Sequence, residues 1–144
     1  DFINEFVCYA KDAGANGIEY TPNFLNLSKN NLNNFANEIE IMNASELPVT
    51  IIINKTTLHK ELFEKAIEIS IELGVTNFQF GDGFGAPISN FDIVEIFKFL
   101  GNQHSIKIVG GIKKLSQVVD LFDSGIDCIG TSNFNEIFKE IRLI

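Results

Sequence analysis

Residues 105–132 read SIKIVGGIKKLSQVVDLFDSGIDCIGTS. SIKIVGG (105–111) is a short, β-branched apolar run closed by two glycines, which is a strand signature. Leu115 to Phe122 carries apolar residues at helical spacing, and Gly125 stops that helix. DCIGTS (127–132) is the next strand. Strand, helix, strand within so few residues is a parallel crossover unit.

The same grammar extends upstream. Residues 2–13 are a helix ended by Gly14, and GIEYTP (17–22) is a strand. Residues 31–44 form an amphipathic helix, and PVTIIIN (48–54) is nearly all apolar, as buried parallel strands are. Leu58 to Leu73 is a helix, TNFQFG a strand, and Ser89 with Asp92 caps a helix over 91–100. A last helix runs from Phe134 to Ile141. The Asn-rich NLSKNNLNNF reads as compositional bias at a helix start. The segments AGANGIEY, LGVTNFQF and SGIDCIGT each join a helix-ending Gly to a strand, and strands recur about every 20–30 residues. The expected fold class is α/β, a single domain over residues 1–144.

Two architectures use such units, an open doubly wound sheet and a parallel (β/α)8 TIM-type barrel. Both place sites at the C-terminal ends of strands. Two features favour the barrel. The last strands end in VGGI and IGTS, and barrels build phosphate sites from the loops after their final two strands. No GxGxxG follows the first strand, as a nucleotide-binding doubly wound sheet would require.

Composition excludes several functions. Net charge is −8 with no basic run, which argues against nucleic-acid binding. No apolar stretch is long enough for a membrane span, and no leader pattern is present. Cys8 and Cys128 are far apart, which fits reduced thiols and a cytoplasmic location, with Cys128 expected as a small core residue. His59 and His104 lack metal-ligand spacing, so no metal is expected. Fourteen Phe and no Trp point to a bulky core. With no initiator Met before Asp1, the chain is expected to be a fragment or a processed piece.

Strand alternation places the polar residues. Glu19, Gln79 and Lys107 should face one interior, with Ile18, Phe78, Phe80, Ile106 and Ile108 on the other side. A lysine mid-strand is either in a structural ion pair with Glu19 or a functional amine tuned by its surroundings. Gly110–Gly111 and Gly130-Thr131-Ser132 lead into helices and together suit a phosphate. Gly81, Gly83 and Gly85 add a third concavity, although Asp82 should repel an anion there.

These residues together resemble deoxyribose-phosphate aldolase, a class I aldolase family on a (β/α)8 barrel. AGANGIEY resembles the family's AGADEIDV, VTIIINKTTL its KVIIETGLL, and GVTNFQFGDGFG its GADFVKTSTGF. IKIVGGI resembles VKASGGI, and SGIDCIGTS resembles AGADRIGTS. The resemblance implies that the chain covers strands four to eight, the C-terminal part of the barrel. It implies cleavage of 2-deoxyribose 5-phosphate to glyceraldehyde 3-phosphate and acetaldehyde, through an iminium on a strand-six lysine, with no cofactor. Lys107 would be the family's strand-seven lysine and Glu19 its strand-four Asp, one methylene longer. The Schiff-base position falls on Gln79, which cannot form an imine. Phosphate contacts would come from Gly83, Gly110, Gly111, Gly130 and Ser132.

Three functions follow. The first is a phosphosugar-binding aldolase relative with impaired or lost activity, or with Lys107 or Lys55, both expected at the barrel mouth, replacing the nucleophile as a carbon–carbon lyase. The second is a non-catalytic binding or assembly relative. The third is an isomerase or lyase using Glu19 as base. The ligand would be a small phosphorylated sugar or aldehyde. Five strands leave a barrel open, which implies a homo-oligomer or an N-terminal segment.

Overall fold

The structure, a computed structural model, describes residues 2–55, 57–84 and 87–142. Its elements are α1 Phe2–Asp12, β1 Ile18–Tyr20, α2 Leu25–Ser28, α3 Leu32–Asn43, β2 Val49–Ile53, α4 Lys60–Glu72, β3 Asn77–Phe80, α5 Asn90–Leu100, β4 Ser105–Val109, α6 Leu115–Asp123, β5 Cys128–Gly130 and α7 Phe134–Ile141. The five strands are all parallel, and their spatial order equals their chain order. That order resolves the architecture. A doubly wound sheet reverses its strand order at a switch point and carries helices on both faces. Right-handed crossovers that always advance in one direction leave every helix on one face. The sheet is therefore part of a (β/α)8 barrel, with an inner face that carries no helix among the described residues.

The core lies between sheet and helices. Ile51, Ile53, Phe78, Phe80, Ile106 and Ile108 point from the strands into a layer made by Phe35, Ile39, Met42, Phe63, Ile67 and Ile96, each at most 2 % exposed. Phe63 and Phe80 have ring centroids 5.7 Å apart, within the range of favourable aromatic pairs. The inner face alternates with these positions and is half-open. Thr50, Ile52, Asn77, Lys107 and Val109 are only partly buried. Gln79, on the central strand, is the exception at 5 % exposure.

The Asn-rich segment holds the start of α3, as expected, and α2 adds a one-turn helix overlapping its beginning. That turn is held by Glu38, whose carboxylate accepts from Tyr20 Oη, Asn23 N–H and Asn26 Nδ2, each at 2.9 Å. Burial and then this carboxylate hold the Tyr20 phenol well above its usual range. Cys128 is exposed and not a core residue, because β5 is an edge strand whose inner face is left open among the described residues. The capping box at α5 is as expected: Ser89 Oγ accepts from Asp92 N–H, and the Asp92 carboxylate accepts from Ser89 N–H.

Candidate functional site

Glu19, Gln79, Gly83, Lys107, Gly110, Gly111, Gly130 and Ser132 all line one cleft of about 350 Å3 at the C-terminal ends of β1, β3, β4 and β5. Alternation puts the first strand residues there, since Gln79 and Lys107 are register partners on neighbouring strands. Lys107 Nζ donates to Glu19 Oε1 at 2.5 Å. The pair joins β4 to β1 across two intervening strands. On a flat sheet, three strand spacings would hold their backbones about 14 Å apart. The curl of the sheet brings them together.

Gln79 Nε2 donates to the Gly81 carbonyl at 3.0 Å. Its Oε1 is buried and has no hydrogen-bond partner among the described residues. A buried acceptor without a donor is uncommon in native proteins.

The glycine corner is tightly built. Gly110 and Gly111 have φ of 104° and 72°, so two successive left-handed residues turn the chain at the end of β4. A Cβ on Gly111 would stand 2.2 Å from the Cβ of Pro87, so the loop after β3 lies directly against this turn. Thr131 Oγ1 donates to the Ile112 carbonyl at 2.6 Å and accepts from Asn133 N–H at 3.0 Å, tying the two rim loops together. The α6 N-terminus is already occupied. Gln117 Oε1 accepts from the Lys113 and Lys114 N–H groups at 2.8 and 3.1 Å, and Glu140 accepts from Leu115 N–H at 3.0 Å. An anion at this corner is thus left to the 110–112 turn and the 130–132 loop. Sequence reasoning missed Lys113, which also lines the cleft and makes no ion pair among the described residues. Its place directly after GGI was the available signal.

Asp82 does not line the cleft. Its carboxylate accepts from Phe84 N–H at 2.9 Å and Asn54 Nδ2 at 2.8 Å, and these bonds hold its carboxyl below the usual range. The carboxylate thus keeps its negative charge next to Gly83 but is held by its own loop and Asn54. Gly85 lies outside the described residues.

Lys55 is also not where it was expected. Val49, Ile51 and Ile53 face the helices, and Lys55 continues that parity. Its Nζ pairs with Asp92 and with Glu95 (2.9 Å) on α5 and sits 5.8 Å from the Phe63 ring centroid. Burial pulls the amine down, but the two carboxylates outweigh it and hold Lys55 above the ordinary lysine value. The Asp92 carboxyl is lowered in turn: burial opposes that, and Lys55 and Ser89 overcome it. Lys55 is therefore a structural cation on the outer face. Lys55→Met is expected to cost about 1–3 kcal/mol, discounted from a fully buried pair because its side chain keeps some solvent contact. A depressed carboxyl stabilises above its unfolded pKa, and that stabilisation fades as pH falls through the folded one. A raised lysine stabilises below its unfolded pKa, and that fades as pH rises through the folded one. The variant's deficit should be largest between about pH 5 and 10 and shrink below about pH 3. Thermal melts across pH would check this.

Among the described residues, no group of three His, Cys, Asp or Glu is placed to hold a metal ion. No helix among them is long and apolar enough to cross a membrane.

No protein-family model matches the chain. Individual proteins do. The chain is 30% identical over 141 residues to the deoxyribose-phosphate aldolase of Malacoplasma penetrans, covering 94% of this chain and 61% of that protein. It is 31% identical over 136 residues to that of Mycoplasma mobile, covering 91% and 62%. The figures for Gloeobacter violaceus are 28% over 128 residues, 88% and 57%. The chain thus spans about three-fifths of the length of these curated relatives. Among solved structures, the aldolase QR15 superposes with a TM-score of 0.84 at 21% identity, covering 98% of this chain and 67% of that one. The tetrameric deoxyribose phosphate aldolase of Aeropyrum pernix superposes with a TM-score of 0.76 at 16% identity, covering 96% and 60%. At those identities the structural likeness speaks to the fold.

Proposed function

We propose that this chain, which belongs to the deoxyribose-phosphate aldolase family, binds a small phosphorylated sugar or aldehyde in the Glu19–Gln79–Lys107 cleft without carrying out the family's Schiff-base cleavage. One observation carries the reading: the buried side chain at the floor of the cleft is an amide, Gln79, hydrogen-bonded to Gly81. An amide nitrogen has no lone pair available for attack on a carbonyl, so no iminium forms there. Lys113 supplies positive charge, and the 110–112 turn with the 130–132 loop supplies backbone donors for a phosphate. Under this reading residues 1–144 are the C-terminal part of a barrel. The remaining wall would come from an N-terminal segment or a second copy.

A second reading keeps turnover, with Lys107 as the imine-forming amine. What favours it is that Lys107 lines the same cleft as Gln79. It would have to leave Glu19 and lose a proton before attack. Calorimetry with 2-deoxyribose 5-phosphate, followed by borohydride treatment and mass spectrometry, separates the two. The proposal expects saturable binding, at least about tenfold weaker in Ser132→Asp, which sets an anion on the exposed rim, and no adduct on any lysine. Absence of binding would refute the phosphosugar site. A borohydride-stable adduct on Lys107 would establish the second reading.

A further inference from the structure

We infer that Gln79 Oε1 is the acceptor for a hydroxyl of the bound ligand, so that the site selects an alcohol, not a carbonyl, at the carbon reaching the floor of the cleft. The inference rests on the phosphosugar reading of the cleft and adds the chemical class of what enters it.

The orientation of the amide follows from its neighbour. Nε2 donates to the Gly81 carbonyl at 3.0 Å, and the reverse orientation would set two carbonyl oxygens against each other. The free end is therefore an oxygen, with lone pairs only. It is buried, unpartnered among the described residues, and belongs to a side chain that lines the cleft. A lysine at the floor presents a nucleophile to an electrophilic carbonyl. Gln79 inverts that demand, because a carbonyl or aldehyde oxygen brought against Oε1 is repelled, whereas an O–H is accepted. Its register neighbours do not fill the need. Ile52 on β2 carries no donor, and the Lys107 ammonium is turned to Glu19. A ligand hydroxyl reaching the floor of the cleft supplies the missing bond. Sugar-alcohol phosphates, and sugar phosphates closed as hemiacetals, carry such a hydroxyl. Open-chain aldehydes do not.

The test compares 2-deoxyribitol 5-phosphate with 1,2-dideoxyribitol 5-phosphate, which lacks only the terminal hydroxyl, by calorimetry on the wild-type protein. The dideoxy compound is expected to bind at least about tenfold more weakly, since it leaves a buried acceptor unpaired. In Gln79→Met, whose side chain has similar length and no such acceptor, the two affinities should converge. If that variant does not fold, the wild-type comparison decides alone. Equal wild-type affinities would overturn the inference while leaving the phosphosugar site standing. A preference that survives in folded Gln79→Met would also overturn it. Failure of both compounds to bind would refute the phosphosugar site itself, and this inference with it.

Discussion

Gln79→Lys is expected to give a borohydride-stable adduct with acetaldehyde at residue 79, where the proposed function expects none on any lysine of the wild type. Position 79 lies on the inner face of the central strand, 5 % exposed and in register with Lys107. Burial and a neighbouring ammonium both disfavour a second protonated lysine, so the introduced amine should be largely free near neutral pH. A free amine at the floor of the cleft can attack a carbonyl, lose water and form an iminium. Because a covalent nucleophile accounts for many orders of magnitude in such enzymes, cleavage of 2-deoxyribose 5-phosphate should rise at least about a hundredfold above the wild type. Peptide mapping of the trapped adduct locates the modified lysine. A folded variant that traps no carbonyl would break the link between this position and the chemistry of the family.

Gly81→Ala should be among the most destabilising single substitutions in the chain. Gly81 has φ +84°, and an added Cβ would stand 2.1 Å from the Val109 carbonyl oxygen. The left-handed conformation costs a non-glycine residue about 1–2 kcal/mol, and forcing backbone apart adds about 1–3. The sum, about 2–5 kcal/mol, is a large share of the stability of an ordinary domain. Gly74→Ala is the control, with φ +86° and nothing within 4 Å of its added Cβ, so it should lose only the conformational part. Equal losses in denaturant melts would show that the close approach of β3 to β4 carries no energy. The same contact bears on the site, because Gly81 is the residue whose carbonyl orients Gln79.

Strand identity and facing were legible in the chain. Apolar and polar residues alternate in NFQF and SIKIV, and the structure places Gln79 and Lys107 on one face accordingly. The site's glycines were legible for a similar reason, since paired Gly after a strand marks a turn that only glycine enters freely. The facing of Lys55 is not legible from its place at a strand end, which points to the barrel mouth; its parity with Val49, Ile51 and Ile53 points to the helices, and the structure follows the parity. Cys128 was misjudged because burial depends on whether a neighbouring strand covers it, which composition does not record.

The sequence by itself determined the order of elements, the one-sided amphipathic strands and the amide at position 79. Those follow from dihedral preferences and periodicities that act over a few residues. Only the tertiary structure decided that Glu19 meets Lys107 across 88 residues of chain, that Asp82 turns into its own loop, and that Gln79 keeps one oxygen buried without a donor. Such contacts depend on sheet curl, strand register and loop packing, which arise when distant segments close on one another and which no local stretch encodes.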